Sequence, residues 1–362
     1  MPNTSRGTRR RVTLADVAAH AGASTTAVSY VVSGSPRPVS DALRARIEAA
    51  LVDLDYRPDR TARALRTGAA TAMLGLLVPH VTMPFFSRVA DAVERVAGRH
   101  DHLVLFANTD FDPAKEAEAA SRLIDAGVSG IIVLGEGDAA ATEAVCVAAR
   151  VPVVWVNNTR GLDSSGVHGG GVVSADHVHA GALATRHVLA AGATRPVFVG
   201  GFTDEETGGV RRDTVQRRYD GFRTALGAQD AAASRIPTDL TAADAYRAVT
   251  DHLQASGTGA PVADAFVVGT YGQAGAVLRA LTDAGRDVPG GVPGGVSVVT
   301  FDGGPVTGHE FFPLTSVRQD LDAVASNALA LIRGAGRADG PPAPVRFTLE
   351  QGATTVVPGG DR

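Results

Sequence analysis

Apolar positions along this chain switch between two regimes. In the first sixty-odd residues they fall at helical spacing: Leu14, Val17, Ala18 and Ala21 share one face, Val28, Val31 and Val32 a second, and Leu43, Ile47, Ala50, Leu51 and Leu54 a third. Thr13 with Asp16 predicts a capping box, Gly22 a stop, and Ser24 and Ser40 the caps of the next two helices. Two short helices joined by a Gly-containing turn, closed by a third, predict a helix-turn-helix head. Thr25, Thr26, Ser29 and Tyr30 are then expected on the exposed outer face of the second helix, where they can touch base edges.

From Ala72 onward short apolar runs alternate with amphipathic segments, the pattern of parallel α/β construction. Strands are expected at 73–78, 103–107, 130–134 and 152–156, with helices at 85–98 and 113–126. A second set follows, with Val172-Val173 leading into a helix at 180–191. It continues with a strand at 196–200, a long polar loop to Val215, helices at 218–226, 243–255 and 272–284, and strands at 265–268 and 296–301. Two similar Rossmann-like halves in succession predict a clamshell, with ligands held where the carboxyl ends of the strands open into polar loops.

Charge divides the chain the same way. Residues 1–70 carry 11 Arg against 6 Asp and Glu, while the remainder carries 23 basic against 32 acidic residues. A basic front end, with Arg9-Arg10-Arg11 in a polar arm, suits a polyanion. Cys146 is the only cysteine, which excludes an internal disulfide and fits a reducing cytoplasm. No leader-like apolar segment follows the N-terminal arginines and no run is long enough to span a membrane, so a cytoplasmic location is expected.

The run Val12-Thr13-Leu14-Ala15-Asp16-Val17-Ala18, then Ala21-Gly22-Ala23-Ser24, Val28-Ser29 and Asp55-Tyr56-Arg57-Pro58 resemble the lac repressor (LacI/GalR) family. The resemblance implies an α/β protein with four parts. These are a three-helix helix-turn-helix head (1–58), a hinge helix and linker (59–70), and two lobes of a periplasmic-binding-protein-like type I core, 71–172 with 319–346 and 173–318 with 347–362. It implies that the second helix enters the major groove, with Thr25, Thr26 and Tyr30 at reading positions, flanked by Ser24 and Ser29. Many members have arginine where Tyr30 stands, and a phenol cannot make arginine's paired contact to guanine. Asp59 to Arg66 is too short to be a stable helix alone, so it is expected to fold on DNA, with Leu65 wedged between base steps and Arg63 and Arg66 beside it.

The same resemblance places an effector between the lobes, against Phe85, Phe86, Asn157, Arg218, Thr270, Tyr271 and Asp302. Arg218 occupies the ligand-anchoring position and Asp302 the hydroxyl-gripping one, although such a pair can also be a structural ion pair. Asn157 stands where an acid is common; Thr270-Tyr271 and Ala175-Asp176 replace Asn-Asp and Asp-Asn. A sugar or sugar derivative is expected, with a nucleoside open. The implied partners are palindromic operator DNA and a second copy of the chain in a homodimer.

Gly135-Glu136-Gly137-Asp138-Ala139-Ala140 matches a relaxed dinucleotide pattern, but the next strand ends at Asn157 rather than an acid. Asp176-His177-Val178-His179 could suggest a metal but has no companion cluster nearby. No nucleophile elbow or phosphate loop occurs. The expectation is a ligand-responsive transcriptional regulator, read as a repressor, without catalysis, cofactor or metal. The alternatives are a soluble sugar- or nucleoside-binding receptor without DNA function, or an NAD-type enzyme.

Overall fold

The computed structural model describes residues 12–33, 37–56, 73–135, 139–157, 171–201, 213–227, 235–239, 241–256, 262–288, 295–303, 313–334 and 343–357. The arginine arm, the hinge with Arg63, Leu65 and Arg66, and residues 136–138 of the dinucleotide-like stretch lie outside the described residues. The chain divides into two compact units, 1–71 and 72–362.

In the head, α1 (Leu14–Ala21), α2 (Thr25–Ser33) and α3 (Asp41–Asp53) pack around Val17, Ala18, Ala21, Val28, Ile47 and Ala50. The capping box forms as the sequence predicts: the Asp16 amide donates to Thr13 Oγ1, and the Thr13 amide donates to the Asp16 carboxylate at 2.8 Å. Gly22 ends α1 in the left-handed conformation, φ 58°, which a side chain rarely adopts without cost. Ser24 accepts from the Ala27 amide at 3.2 Å, starting α2. Ser40 stands in extended backbone before α3, but its side chain makes no capping hydrogen bond.

The body contains two sheets. The first has the order β2-β1-β3-β4-β5 and is parallel throughout, built from β1 (Met73–Val78), β2 (Leu103–Asn108), β3 (Ile131–Val133), β4 (Val153–Val156) and β5 (Gly171–Val173). Helices α4 (Pro84–Gly98), α5 (Pro113–Asp125) and α6 (Ala140–Ala149) alternate with its strands. The second sheet runs β11-β10-β9-β8-β6-β7, from β6 (Pro196–Gly200), β7 (Arg235–Pro237), β8 (Ala265–Val268), β9 (Ser297–Phe301), β10 (Thr315–Gln319) and β11 (Phe347–Glu350). Only the β10–β11 pair in it is antiparallel. Helices α7 (His177–Ala190), α8 (Asp213–Leu226), α9 (Ala242–Ser256) and α10 (Tyr271–Asp283) belong to this half, while α11 (Leu321–Ile332) returns to pack on α4, β4 and β5.

Strand pairing moves two expected boundaries by one residue. Val173 pairs with Val156 on the first sheet, and Gln319 pairs with Phe347 on the second. Helix α7 starts at His177 rather than Ala180, because the Asp176 carboxylate accepts from the His179 amide at 2.8 Å and caps it three residues early. Helix α8 starts at Asp213, ahead of the expected Arg218. Between these helices the backbones nearly touch: a Cβ on Gly181 would collide with the Arg218 carbonyl, and one on Gly221 with the Val178 carbonyl.

One buried apolar cluster runs through both halves, from Leu74, Val89 and Val154 to Phe198, Phe222 and Phe301. Cys146 lies in a separate cluster around Trp155, where burial pushes its thiol up to about 11, so it is protonated and inert near neutral pH. Among the described residues no helix is long and apolar enough to cross a membrane.

Candidate functional site

On the head, Thr25 and Thr26 are exposed on α2, whereas Ser29 and Tyr30 are half-buried, not fully exposed as expected. Tyr30 is held from the loop beyond α2. Arg37 Nη1 donates to its hydroxyl at 2.7 Å, and the guanidinium carbon lies 5.3 Å from the ring centroid. The position where a reading arginine was expected thus carries a phenol with an exposed arginine resting on it. Helix α2 has no acidic residue that would repel a phosphate backbone.

In the body, Phe85, Phe86, Asn157, Arg218, Thr270, Tyr271 and Asp302 all line one cleft between the two sheets. Apart from Arg218, which is carried by α8, they stand beyond the carboxyl ends of β1, β4, β8 and β9. From the first half, α4 begins just after β1 and brings Phe85 and Phe86; these pack edge-to-face with a centroid distance of 5.4 Å, and Phe111 extends the row 6.0 Å from Phe86. From the second half, α8 brings Arg218, the start of α10 brings Thr270 and Tyr271, and the end of β9 brings Asp302. At the cleft the guanidinium of Arg88 on α4 faces the Tyr271 ring at 5.7 Å, linking the halves.

The polar wall is a connected chain. Arg218 Nη2 donates to Asp302 Oδ2 at 2.6 Å, Nη1 to the Gly269 carbonyl at 2.8 Å, and Nε to His177 Nδ1 at 3.2 Å, with the guanidinium carbon 4.6 Å from the Phe301 centroid. Both members of the ion pair are buried, so each needs the other to avoid an uncompensated charge. Gln319 Nε2 donates to Asp302 Oδ1 at 3.3 Å, and Asn157 Nδ2 donates across to Gln319 Oε1, also at 3.3 Å. Asn157 and Asp302 both hold positive φ, 62° and 55°. Such backbone costs about 1–2 kcal/mol per residue and is best tolerated by Asn and Asp.

Sequence reasoning missed His177 and Gln319. In the sequence His177 stands out only within a metal-like motif, yet it is fully buried, lines the cleft and is occupied at Nδ1 by Arg218. Burial first, then the neighbouring charges of Arg218 and Arg217, holds it well below the usual histidine range and therefore neutral. Gln319 ends a strand too polar to register as one, Thr-Ser-Val-Arg-Gln. Of the dinucleotide-like turn, Gly135 reaches the cleft.

Two family models divide the chain at the same point. The model for bacterial regulatory proteins of the lacI family matches residues 13–59, and that for a periplasmic binding protein domain matches residues 74–309. The transcriptional regulator GalR of Salmonella typhimurium is 30% identical over 324 residues, covering 88% of each chain. Catabolite control protein A of Staphylococcus xylosus is 33% identical over 190 residues, and that match spans about half of each protein, 52% of this chain and 56% of the relative. The lac repressor dimer solved with operator and an anti-inducer superposes with a TM-score of 0.76 at 23% identity, over 96% of this chain and 100% of that one. With the head, the two-sheet body and the cleft arranged as described, the chain belongs to the lacI family of bacterial regulatory proteins, which are DNA-binding transcriptional regulators.

Proposed function

We propose that this protein is a repressor that binds a palindromic operator as a two-fold dimer and is controlled by a sugar or sugar derivative held in the cleft. The observation that carries the DNA side is the outer face of α2: two exposed threonines, a half-buried serine and an arginine-braced tyrosine on a helix without acidic residues. Ser24 starts this helix by accepting from the Ala27 amide, and the positive end of the helix suits a phosphate. Arg63, Leu65 and Arg66 are assigned to the minor groove, with Leu65 as the wedge.

The effector side rests on one polar wall and one aromatic wall. Hydroxyl groups hydrogen-bond to Asn157, Arg218, Thr270 and Asp302, while Phe85, Phe86 and Tyr271 cover the apolar face of a ring. Dimerisation is supported by β2, the edge strand of the first sheet, which leaves Leu103 57% and Phe106 48% exposed. Large apolar side chains on an open sheet edge are a surface that a second copy would cover.

Ligand occupancy alters operator affinity only through unequal affinity for two arrangements of the halves. Arg88–Tyr271 and Asn157–Gln319 are the contacts between the halves that a ligand in the cleft would make or break. The test is selection of duplexes by the full chain from a random pool. The expected result is enrichment of a palindrome with half-sites spaced for a dimer. A pool that stays random, with ligand binding intact, would instead describe a receptor without DNA function.

A further inference from the structure

The hydrogen-bond polarity of the cleft wall is fixed from one end to the other, and it leaves two buried atoms without partners. A carboxylate only accepts. Gln319 must therefore turn its amide nitrogen to Asp302 and its oxygen to Asn157. Asn157 must then offer its nitrogen to Gln319, so its oxygen Oδ1 is left over, buried and unpartnered. The same logic holds for His177. A guanidinium N–H only donates, so Nδ1 is the acceptor for Arg218 Nε. The proton of the neutral ring is consequently on Nε2, which is also buried and unpartnered.

Leaving a buried donor and a buried acceptor unmade costs about 1–3 kcal/mol each. Both residues line the cleft, and together they ask for a group that accepts from His177 and donates to Asn157. A hydroxyl does both. The charge of the wall narrows the ligand further: Arg218 is already joined to Asp302 at 2.6 Å, and the two charges cancel. An anionic ligand drawn to Arg218 would meet the Asp302 carboxylate beside it, and the other guanidinium at the cleft, Arg88, is turned to the Tyr271 ring and donates from Nε to the Pro84 carbonyl at 3.3 Å.

From this geometry we infer that His177 is a direct ligand contact, donating from Nε2 to a hydroxyl that Asn157 accepts from, and that the cleft selects uncharged polyhydroxylated ligands over phosphorylated ones. The inference rests on the cleft being the effector site proposed above.

The experiment is calorimetric titration of the full chain with neutral pentoses, hexoses, disaccharides and nucleosides, each beside its phosphate ester. The neutral member of a binding pair is expected to bind about tenfold tighter or more. Single-deoxy analogues of the best ligand then identify the bridging hydroxyl. Its removal is expected to weaken binding to the wild type by about tenfold, and to change nothing further in His177→Phe. Asn157→Gly, which tolerates the positive φ, serves as the second variant and is expected to show the same insensitivity.

Preference for the phosphate esters overturns the charge assignment. An equal deoxy penalty in wild type and both variants reduces His177 to a packing residue and overturns the contact. Failure of every ligand to bind overturns the inference entirely, whereas the operator-binding proposal falls only with the duplex selection.

Discussion

Asn157 and Asp302 stand at the carboxyl ends of β4 and β9 in the same left-handed backbone conformation, and Gln319 hydrogen-bonds to both. Asn157 belongs to the first half of the body, while Asp302 and Gln319 belong to the second. This makes Gln319 the middle of a polar bridge across the cleft, at the point where the chain returns to the first half through α11.

Gln319→Leu removes the bridge with little change in volume; it leaves the Asn157 amide unpaired and Asp302 Oδ1 with only the residue 319 backbone amide, at 3.4 Å. The expected cost is about 1–3 kcal/mol, which for a body of this size lowers the thermal midpoint by several degrees, on the order of 2–4 °C per kcal/mol. Calorimetry checks this. An unchanged midpoint would mean that the bridge carries no stability.

Tyr30→Arg replaces the phenol that rests under Arg37 with a side chain able to make a paired contact to guanine. Repeating the duplex selection with this variant is expected to shift the preferred base at one symmetric pair of half-site positions toward guanine. The other positions should stay as in the wild type, because a good paired contact discriminates by about 1–3 kcal/mol at its own base only. Identical selected sequences would take Tyr30 out of the reading face.

Leu65→Ala shortens the assigned wedge. Operator affinity is expected to fall on the order of tenfold or more, while ligand affinity, measured by calorimetry, stays near wild type. Equal operator affinity in both proteins would remove Leu65 from the mechanism.

Glu116 on α5 is buried, and this raises its carboxyl above the ordinary 4.5, partly offset by a hydrogen bond from Thr142 Oγ1 at 2.9 Å. The folded chain therefore holds this proton more tightly than the unfolded chain. Its contribution to stability is present below the ordinary carboxyl range and is lost as pH rises through the raised folded value. Glu116→Gln keeps the acceptor for Thr142 without the charge. It is expected to melt higher than wild type at about pH 8 and to match it at about pH 4. A constant difference at both values would place the effect in packing rather than ionisation.

The head was almost fully legible, because its information is local: Thr13 with Asp16, Gly22 and Ser24 set the ends of helices whose apolar faces recur at helical spacing. The central strands were legible because they are buried on both faces and read as apolar runs. The edges were not. β10 is a strand of Thr, Ser, Val, Arg and Gln whose burial rests on hydrogen bonds to a distant segment, such as the Thr315 amide to Thr354 Oγ1 at 2.8 Å. The same cause hid Gln319. His177 was hidden by its helix cap, since Asp176 starts α7 early and carries the histidine from a supposed loop to the wall of the cleft.

The proposed function requires that occupancy of the cleft be felt at the DNA. The most direct measurement is fluorescence anisotropy of the selected operator duplex titrated with the full chain, with and without a saturating amount of the best-binding ligand. The dissociation constant is expected to change about fivefold or more, in either direction, and Arg218→Ala is expected to abolish the change. The same dissociation constant with and without bound ligand would contradict the proposed function.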